Sequence, residues 1–205
     1  AADLQEPIEL IEQFFAQWCY RPGVPTLLVT PTFDAQTRTL SVTVEQKQRI
    51  DGDNPAFEFE LPIVVVGAGG SAADHRIAVT GRSTTFSVAC ETQPRCVVVD
   101  PAMSVLASME VIQDEAALLA QLEHGPTPAA RIAALQGLRK GTRTPAALEL
   151  LRKLVLDVNA PVWVRTEAVR TLGAAGSSGD LRTLATTGID AWEVREALTA
   201  ELPGL

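Results

Sequence analysis

The chain has 205 residues, 46% of them hydrophobic and 5% aromatic, with 17 basic against 25 acidic side chains. That length suits one large domain or two small ones, and it buries a core without disulfide or metal staples. The net charge of −8 argues against an electrostatic grip on nucleic acid or anionic lipid, and no apolar run approaches the roughly 18 residues of a membrane helix.

Residues 1–112 carry 14 acids and 7 bases, whereas residues 113–205 carry 11 and 10, so a change in charge already marks a seam. Leu4, Ile8, Ile11, Phe15 and Trp18 recur at three- and four-residue steps and predict an amphipathic helix over 4–18. Glu6, Glu9 and Glu12 lie off that face, and acids early in a helix suit its dipole. Arg21-Pro22-Gly23 with Pro25 stops it. Two readings of the apolar face stand: packing on the adjacent sheet, or contact with something that precedes residue 1.

From Thr26 to Val111 the period is two. Leu40, Val42 and Val44 alternate with Ser41, Thr43 and Glu45, and the alternation returns from Phe57 to Val65, at Ile77 and Val79, and at Phe86, Val88 and Cys90. The apolar run Cys96–Val99 follows. Turn chemistry separates the runs at 34–37, 51–55, 67–71, 80–82 and 93–94. Six or seven short strands with no helix between them predict an antiparallel β-sandwich with a solvated polar face.

From Asp114 the period becomes that of a helix, with candidates at 114–123, 128–139, 145–157, 161–174, 178–186 and 190–201. Thr127-Pro128 and Thr144-Pro145 are helix starts, since proline at the first position loses no bond and threonine before it caps. This half also repeats. The segments around Arg131, Arg165 and Arg195 share a V-R-x-x-A-like pattern, and the arginines stand 34 and then 30 residues apart. Helix pairs of that length with small alanines between neighbours look like HEAT-type repeats in an α-solenoid. The arginines of this half (Arg131, Arg139, Arg143, Arg152, Arg165, Arg170, Arg182 and Arg195) are expected to bridge repeats through acids such as Glu149, Glu167, Glu193 and Glu196, with the repeated Arg131, Arg165 and Arg195 as the expected inter-repeat contacts.

Candidate chemistry is sparse. His75 and His124 are 49 residues apart, and neither H-E-x-x-H nor C-x-x-C occurs. His75 reads as a structural strand residue, and His124 as an imidazolium at a helix C-terminus. Gly67-Ala-Gly-Gly-Ser71 follows a strand but precedes another, so it reads as a hairpin loop rather than a phosphate cradle. Ser83–Thr85 and Ser177-Ser178 lack a nucleophile's setting and read as turn and cap residues. Asp51/Asp53 and Glu58/Glu60 read as solvated carboxylates, because nothing apolar surrounds them to raise a pKa. No catalytic, cofactor-binding or metal residue is therefore expected. Three cysteines and no leader-like start point to a reducing, cytoplasmic setting, with a Cys90–Cys96 bridge left open. A first residue other than Met reads as that of a fragment or a processed product. Arg outnumbers Lys 14 to 3, a bias that hints at a GC-rich bacterial genome.

The run Phe14-Phe15-Ala-Gln-Trp18-Cys-Tyr-Arg-Pro-Gly23-Val-Pro25-Thr-Leu27 resembles a junction in zinc aminopeptidases of the aminopeptidase N family, where the last helix of the catalytic domain enters a small β-sandwich. Phe57–Ile63 and Val97–Pro101 with Leu106 are similar to further sandwich segments of that family. The resemblance implies a linking helix (1–25), a β-sandwich (26–111) and HEAT-like helices (112–205), in which the helical region covers the catalytic cleft and the sandwich is a spacer. It implies no zinc here, since the family's H-E-x-x-H, distal Glu and G-x-M-E-N are absent; zinc is expected only in a catalytic domain that this chain lacks. Leu4, Ile8, Ile11, Phe15 and Trp18 become the expected contact with that preceding domain, peptide substrates are met only through it, and self-association is expected of the fragment. The alternative is a freestanding HEAT-type scaffold that binds protein partners. A carbohydrate-binding sandwich is disfavoured, because three Trp and one Tyr give few aromatic platforms.

Overall fold

The computed structural model describes residues 5–141 and 143–202, with side chains from residue 11 onward. Helix α1 (Gln5–Trp18) leads into seven strands: β1 (Thr26–Asp34), β2 (Thr39–Gln46), β3 (Phe59–Val66), β4 (Ala72–Val79), β5 (Ser83–Ala89), β6 (Cys96–Val99) and β7 (Ser108–Val111). They form two sheets, in the orders β5-β2-β1-β7 and β4-β3-β6. Leu27, Val29, Leu40, Val42 and Val44 of the first pack against Leu61, Ile63, Val65, Ile77, Val79 and Val97 of the second. These are the period-two positions, which a strand sends to a single face.

The sandwich departs from expectation twice. It is antiparallel except for β7, which runs parallel to β1 (Thr26↔Ser108 to Val29↔Val111). Strand β6 lies in the opposite sheet, so the chain crosses between sheets before β7, and parallel neighbours need such a crossover. Asp100 makes that corner with φ 43°. Its carboxylate accepts the Ser104 N–H at 2.8 Å and the Val105 N–H at 2.9 Å. Secondly, the outer face of β3 and β6 is dry rather than polar: Val64, Val66, Cys96 and Val98 pack on alanines of the helical half.

Six helices follow: α2 (Glu115–His124), α3 (Pro128–Leu138), α4 (Pro145–Leu156), α5 (Val162–Ala174), α6 (Ser178–Thr186) and α7 (Trp192–Glu201). Asp114, Thr127 and Thr144 each accept the N–H three residues on, and Pro128 and Pro145 occupy the first turns. The helices pack as the pairs α2/α3, α4/α5 and α6/α7, with α5 touching both α3 and α7. One core, including Leu135, Leu151, Val164, Leu172 and Leu198, runs through all three pairs, as helical repeats require. Gly137 lets α2 approach α3 closely, since a Cβ there would stand 2.8 Å from Leu118 Cδ2.

A polar chain fixes the helices to the sandwich. The Val97 N–H donates to Gln113 Oε1 (2.9 Å), Gln113 Nε2 to Gln121 Oε1 (3.0 Å), and Gln121 Nε2 to the Ala130 carbonyl (2.8 Å). The Thr127 hydroxyl donates to the Pro101 carbonyl, and Lys140 pairs with Glu110. The chain of side chains satisfies the free edge of β6, which would otherwise offer unpaired groups.

Candidate interaction surface

Helix α1 is held at its C-terminal end. Gln17 acts as a mock strand on the segment before β3: its Nε2 donates to the Glu58 carbonyl (2.8 Å) and its Oε1 accepts the Glu58 N–H (2.7 Å). Trp18 lies 5.1 Å from the Phe57 ring and 6.1 Å from that of Phe59. The Arg21 guanidinium stacks 3.8 Å over the Phe57 ring and donates to the Pro55 carbonyl at 2.7 Å. Cation–π stacking and aromatic packing therefore anchor the last turn.

One turn earlier the apolar face is uncovered. Ile11 and Phe14 are each 56% exposed and Phe15 is 43% exposed. Phe14 and Phe15 meet edge to face at 5.9 Å, and Tyr20 stacks on Phe15 at 6.1 Å. Of the five stripe residues expected from the sequence, Trp18 turns to the sandwich, while Ile11 and Phe15 face outward. The reading in which the whole face packs on the adjacent sheet is therefore corrected: among the described side chains only those of the last turn reach it. Ile8 lies within α1 but its side chain is not among those described, and Leu4 lies outside the described residues. Phe14 belongs to the exposed group and was not singled out from spacing, because it sits one step off the stripe.

An exposed cluster of this size favours association. The chain is expected to self-associate as its concentration rises, and Ile11→Glu with Phe15→Glu should return it to monomer. Sedimentation velocity checks this; a double variant that associates as strongly as the parent contradicts it.

The expected inter-repeat arginines behave differently from one another. Arg165 is buried; its Nε donates to the Val155 carbonyl of α4 (2.9 Å), and its Nη2 reaches Asp190, just before α7 (3.2 Å). Arg195 turns back on the loop before its own helix, donating to the Ile189 carbonyl (2.7 Å) and the Asp190 carbonyl (3.0 Å). The Arg131 guanidinium forms no hydrogen bond or ion pair among the described residues. Two arginines outside the repeat pattern bridge instead: Arg139 of the α3 end meets Glu167 of α5 (3.2 Å), and Arg152 of α4 meets Asp180 of α6 (2.7 Å).

The residues weighed for chemistry stay apart. His75 packs on Phe86 at 5.3 Å within the sheets. His124 ends α2, and its Nε2 lies 2.9 Å from Arg95 Nη1. The contact ties the end of α2 to Arg95, the residue just before β6. Asp51 closes its own turn on the N–H groups of Asp53 and Asn54. The Gly67–Ser71 segment is a hairpin turn, closed by the Gly67 N–H on the Ser71 carbonyl (2.8 Å). The three cysteines are free thiols, and burial pushes the Cys96 thiol up to about 11. Among the described residues no three His, Cys, Asp or Glu side chains come together as a metal site, and no helix is long and apolar enough to cross a membrane.

The HEAT-repeat family pattern matches residues 115–202. No curated protein sequence matches the chain. Among solved structures, aminopeptidase A of Legionella pneumophila, determined in complex with aspartic acid, shares the fold with a TM-score of 0.62 at 16% identity. The likeness covers 92% of this chain and 27% of that one, so this chain spans about a quarter of the length of the aminopeptidase it matches.

Proposed function

We propose that this chain is the non-catalytic C-terminal region of a zinc metallo-aminopeptidase, a sandwich spacer and a helical cover for the active-site cleft of a catalytic domain in the same protein. The observation that carries the reading is the extent of the likeness: it takes in sandwich and repeats together, covering 92% of this chain and 27% of an aminopeptidase. The uncovered Ile11, Phe14 and Phe15 of α1 support it, because an exposed apolar face next to an anchored last turn suits a junction with further protein.

Zinc belongs to that catalytic domain and does not fit the residues here. A catalytic zinc site takes three protein ligands around one open position. His75 lies against Phe86, while His124 is engaged by Arg95 and its nearest carboxylate, Glu123, is 3.8 Å away. This chain therefore contributes shape: it bounds the cleft and limits which peptides enter. A freestanding scaffold is the second reading, favoured by Trp163 and Trp192, which stand exposed at the starts of neighbouring α5 and α7.

The test uses the protein encoded by the whole reading frame, with aminoacyl p-nitroanilides and peptides of increasing length. Release of N-terminal residues, lost to a chelator and regained with zinc, is expected. Removal of 112–205 should raise turnover of long peptides relative to short ones by several fold. A whole-frame protein without such activity refutes the peptidase reading; an unchanged length preference refutes the covering role.

A further inference from the structure

A cleft of about 940 Å³ opens where the sandwich meets the helical repeats, and one wall of it is a strand edge with unpaired main chain. Strand β2 pairs with β1 along Leu27–Asp34, whereas β7 pairs only with Thr26–Val29. The Val29 carbonyl accepts the Ile112 N–H at 2.9 Å on the β7 side, while the Thr26 carbonyl accepts the Lys47 N–H at 2.7 Å on the β2 side. Odd-numbered residues of β1 therefore turn their main chain toward β7, and by strand alternation Pro31 and Phe33 do the same. Pro31 has no N–H, which ends the β7 ladder after Val29. Beyond it the Pro31 carbonyl, the Phe33 N–H and the Phe33 carbonyl face the cleft in series, an acceptor, a donor and an acceptor.

The remaining walls suit a strand laid along that edge. Leu119 of α2 and Leu150 of α4 line the same cleft as Phe33 with half-buried apolar surface. Asp114, Glu123 and Glu149 line the cleft with Arg95 and Lys153. Asp114 caps α2 through the Ala117 N–H, and Glu149 is held by Arg152 at 2.6 Å. Glu123 lies 3.8 Å from His124 Nε2, and among the described residues no Lys or Arg forms an ion pair with it, which leaves it the carboxylate open to an incoming cation.

We propose that this cleft binds an extended peptide segment, added as a strand to the free half of β1, with apolar side chains at alternate positions and a lysine or arginine toward Glu123. Main-chain bonds to Pro31 and Phe33 supply register, and the alternate side chains supply selectivity, which is how a sheet edge recognises a peptide. The site stands independently of the peptidase reading.

The test titrates the isotope-labelled chain with an acetylated, amidated pentapeptide of alternating valine and lysine, read by amide NMR. The Phe33 amide should shift and exchange more slowly, together with shifts at Ile112 and Leu150. Methylating the probe's main-chain nitrogens removes its donors to both the Pro31 and Phe33 carbonyls and should weaken binding about thirtyfold, at about 1 kcal/mol for each lost bond. Glu123→Lys should invert the preference between the lysine probe and its glutamate counterpart. Ala146→Trp, at an exposed position on the cleft wall, should block binding without disturbing the fold. An unmoved Phe33 amide at millimolar probe, equal binding of the methylated probe, or shifts confined to α1 would each overturn the proposal.

Discussion

Replacing Gln46 by leucine is expected to cost about 4 kcal/mol of stability, since each buried group left without its partner costs about 1–3 kcal/mol. Gln46 is 1% exposed. Its Nε2 donates to the carbonyls of Phe57 (2.7 Å) and Gly81 (2.9 Å), and its Oε1 accepts the Phe57 N–H (2.9 Å). One side chain thus serves as the main-chain partner for two loops that have no strand beside them. Leucine matches its volume, so the loss is polar and leaves little cavity. Phe57 also holds Trp18 and Arg21, so loosening it should release α1 as well. Urea unfolding followed by Trp fluorescence measures the effect; a loss below about 1 kcal/mol, the net worth of a single ordinary hydrogen bond, would contradict it.

Arg165→Ala is expected to cost about 3 kcal/mol, the scale for breaking a buried, hydrogen-bonded charge and leaving its partner alone. The Arg165 side chain is 3% exposed, whereas that of Asp190 is 66% exposed. Most of the loss therefore falls on the Val155 carbonyl and on the vacated packing between α4, α5 and α7, not on the ion pair. Arg165→Met keeps the apolar stem and buries no charge, so it should lose about half as much. The acid side gives a second check. The Ala191 N–H, and after it the Arg165 guanidinium, hold the Asp190 carboxyl below its ordinary value. Its folded value lies below the unfolded one, so the stability it adds is complete above about pH 4 and fades as pH falls through the folded value. The gap between parent and Arg165→Ala should narrow there, as unfolding midpoints across pH will report. A gap that widens below pH 4 would contradict the assignment.

The two halves of the fold were legible because their periods differ. Alternation from Leu40 to Cys90 located the sandwich core, and Thr-Pro starts with three- and four-residue spacing located the six helices within a residue or two. Ser108–Val111 announced no strand of its own, being four residues long, and its parallel pairing depends on a crossover that spacing does not encode. The dry outer face of β3 and β6 did leave a signal. Ile63–Val66 and Cys96–Val99 are continuous apolar runs of four, the mark of strands buried on both sides, whereas β2 and β5 alternate.

The candidate surface was legible in part. Spacing placed Ile11, Phe15 and Trp18 on one helix face, but which of them meets the sandwich is decided by Phe57 and Phe59, some 40 residues on in the sequence. The repeat pattern gave Arg165 and Arg195 equivalent positions. Their partners differ because one points between helices and the other curls onto its own loop. Arg139 and Arg152 bridge repeats from positions that no repeat singles out. A pattern fixes where a side chain starts; the neighbouring element fixes what it reaches.

The central claim, that this region serves a zinc aminopeptidase, is tested most directly by sequencing the reading frame upstream of Ala1. The account predicts an in-frame H-E-x-x-H followed by a distal Glu, the two histidines one helical turn apart with the third zinc ligand beyond them. A start codon or a leader immediately before Ala1 would contradict it and leave the chain a scaffold.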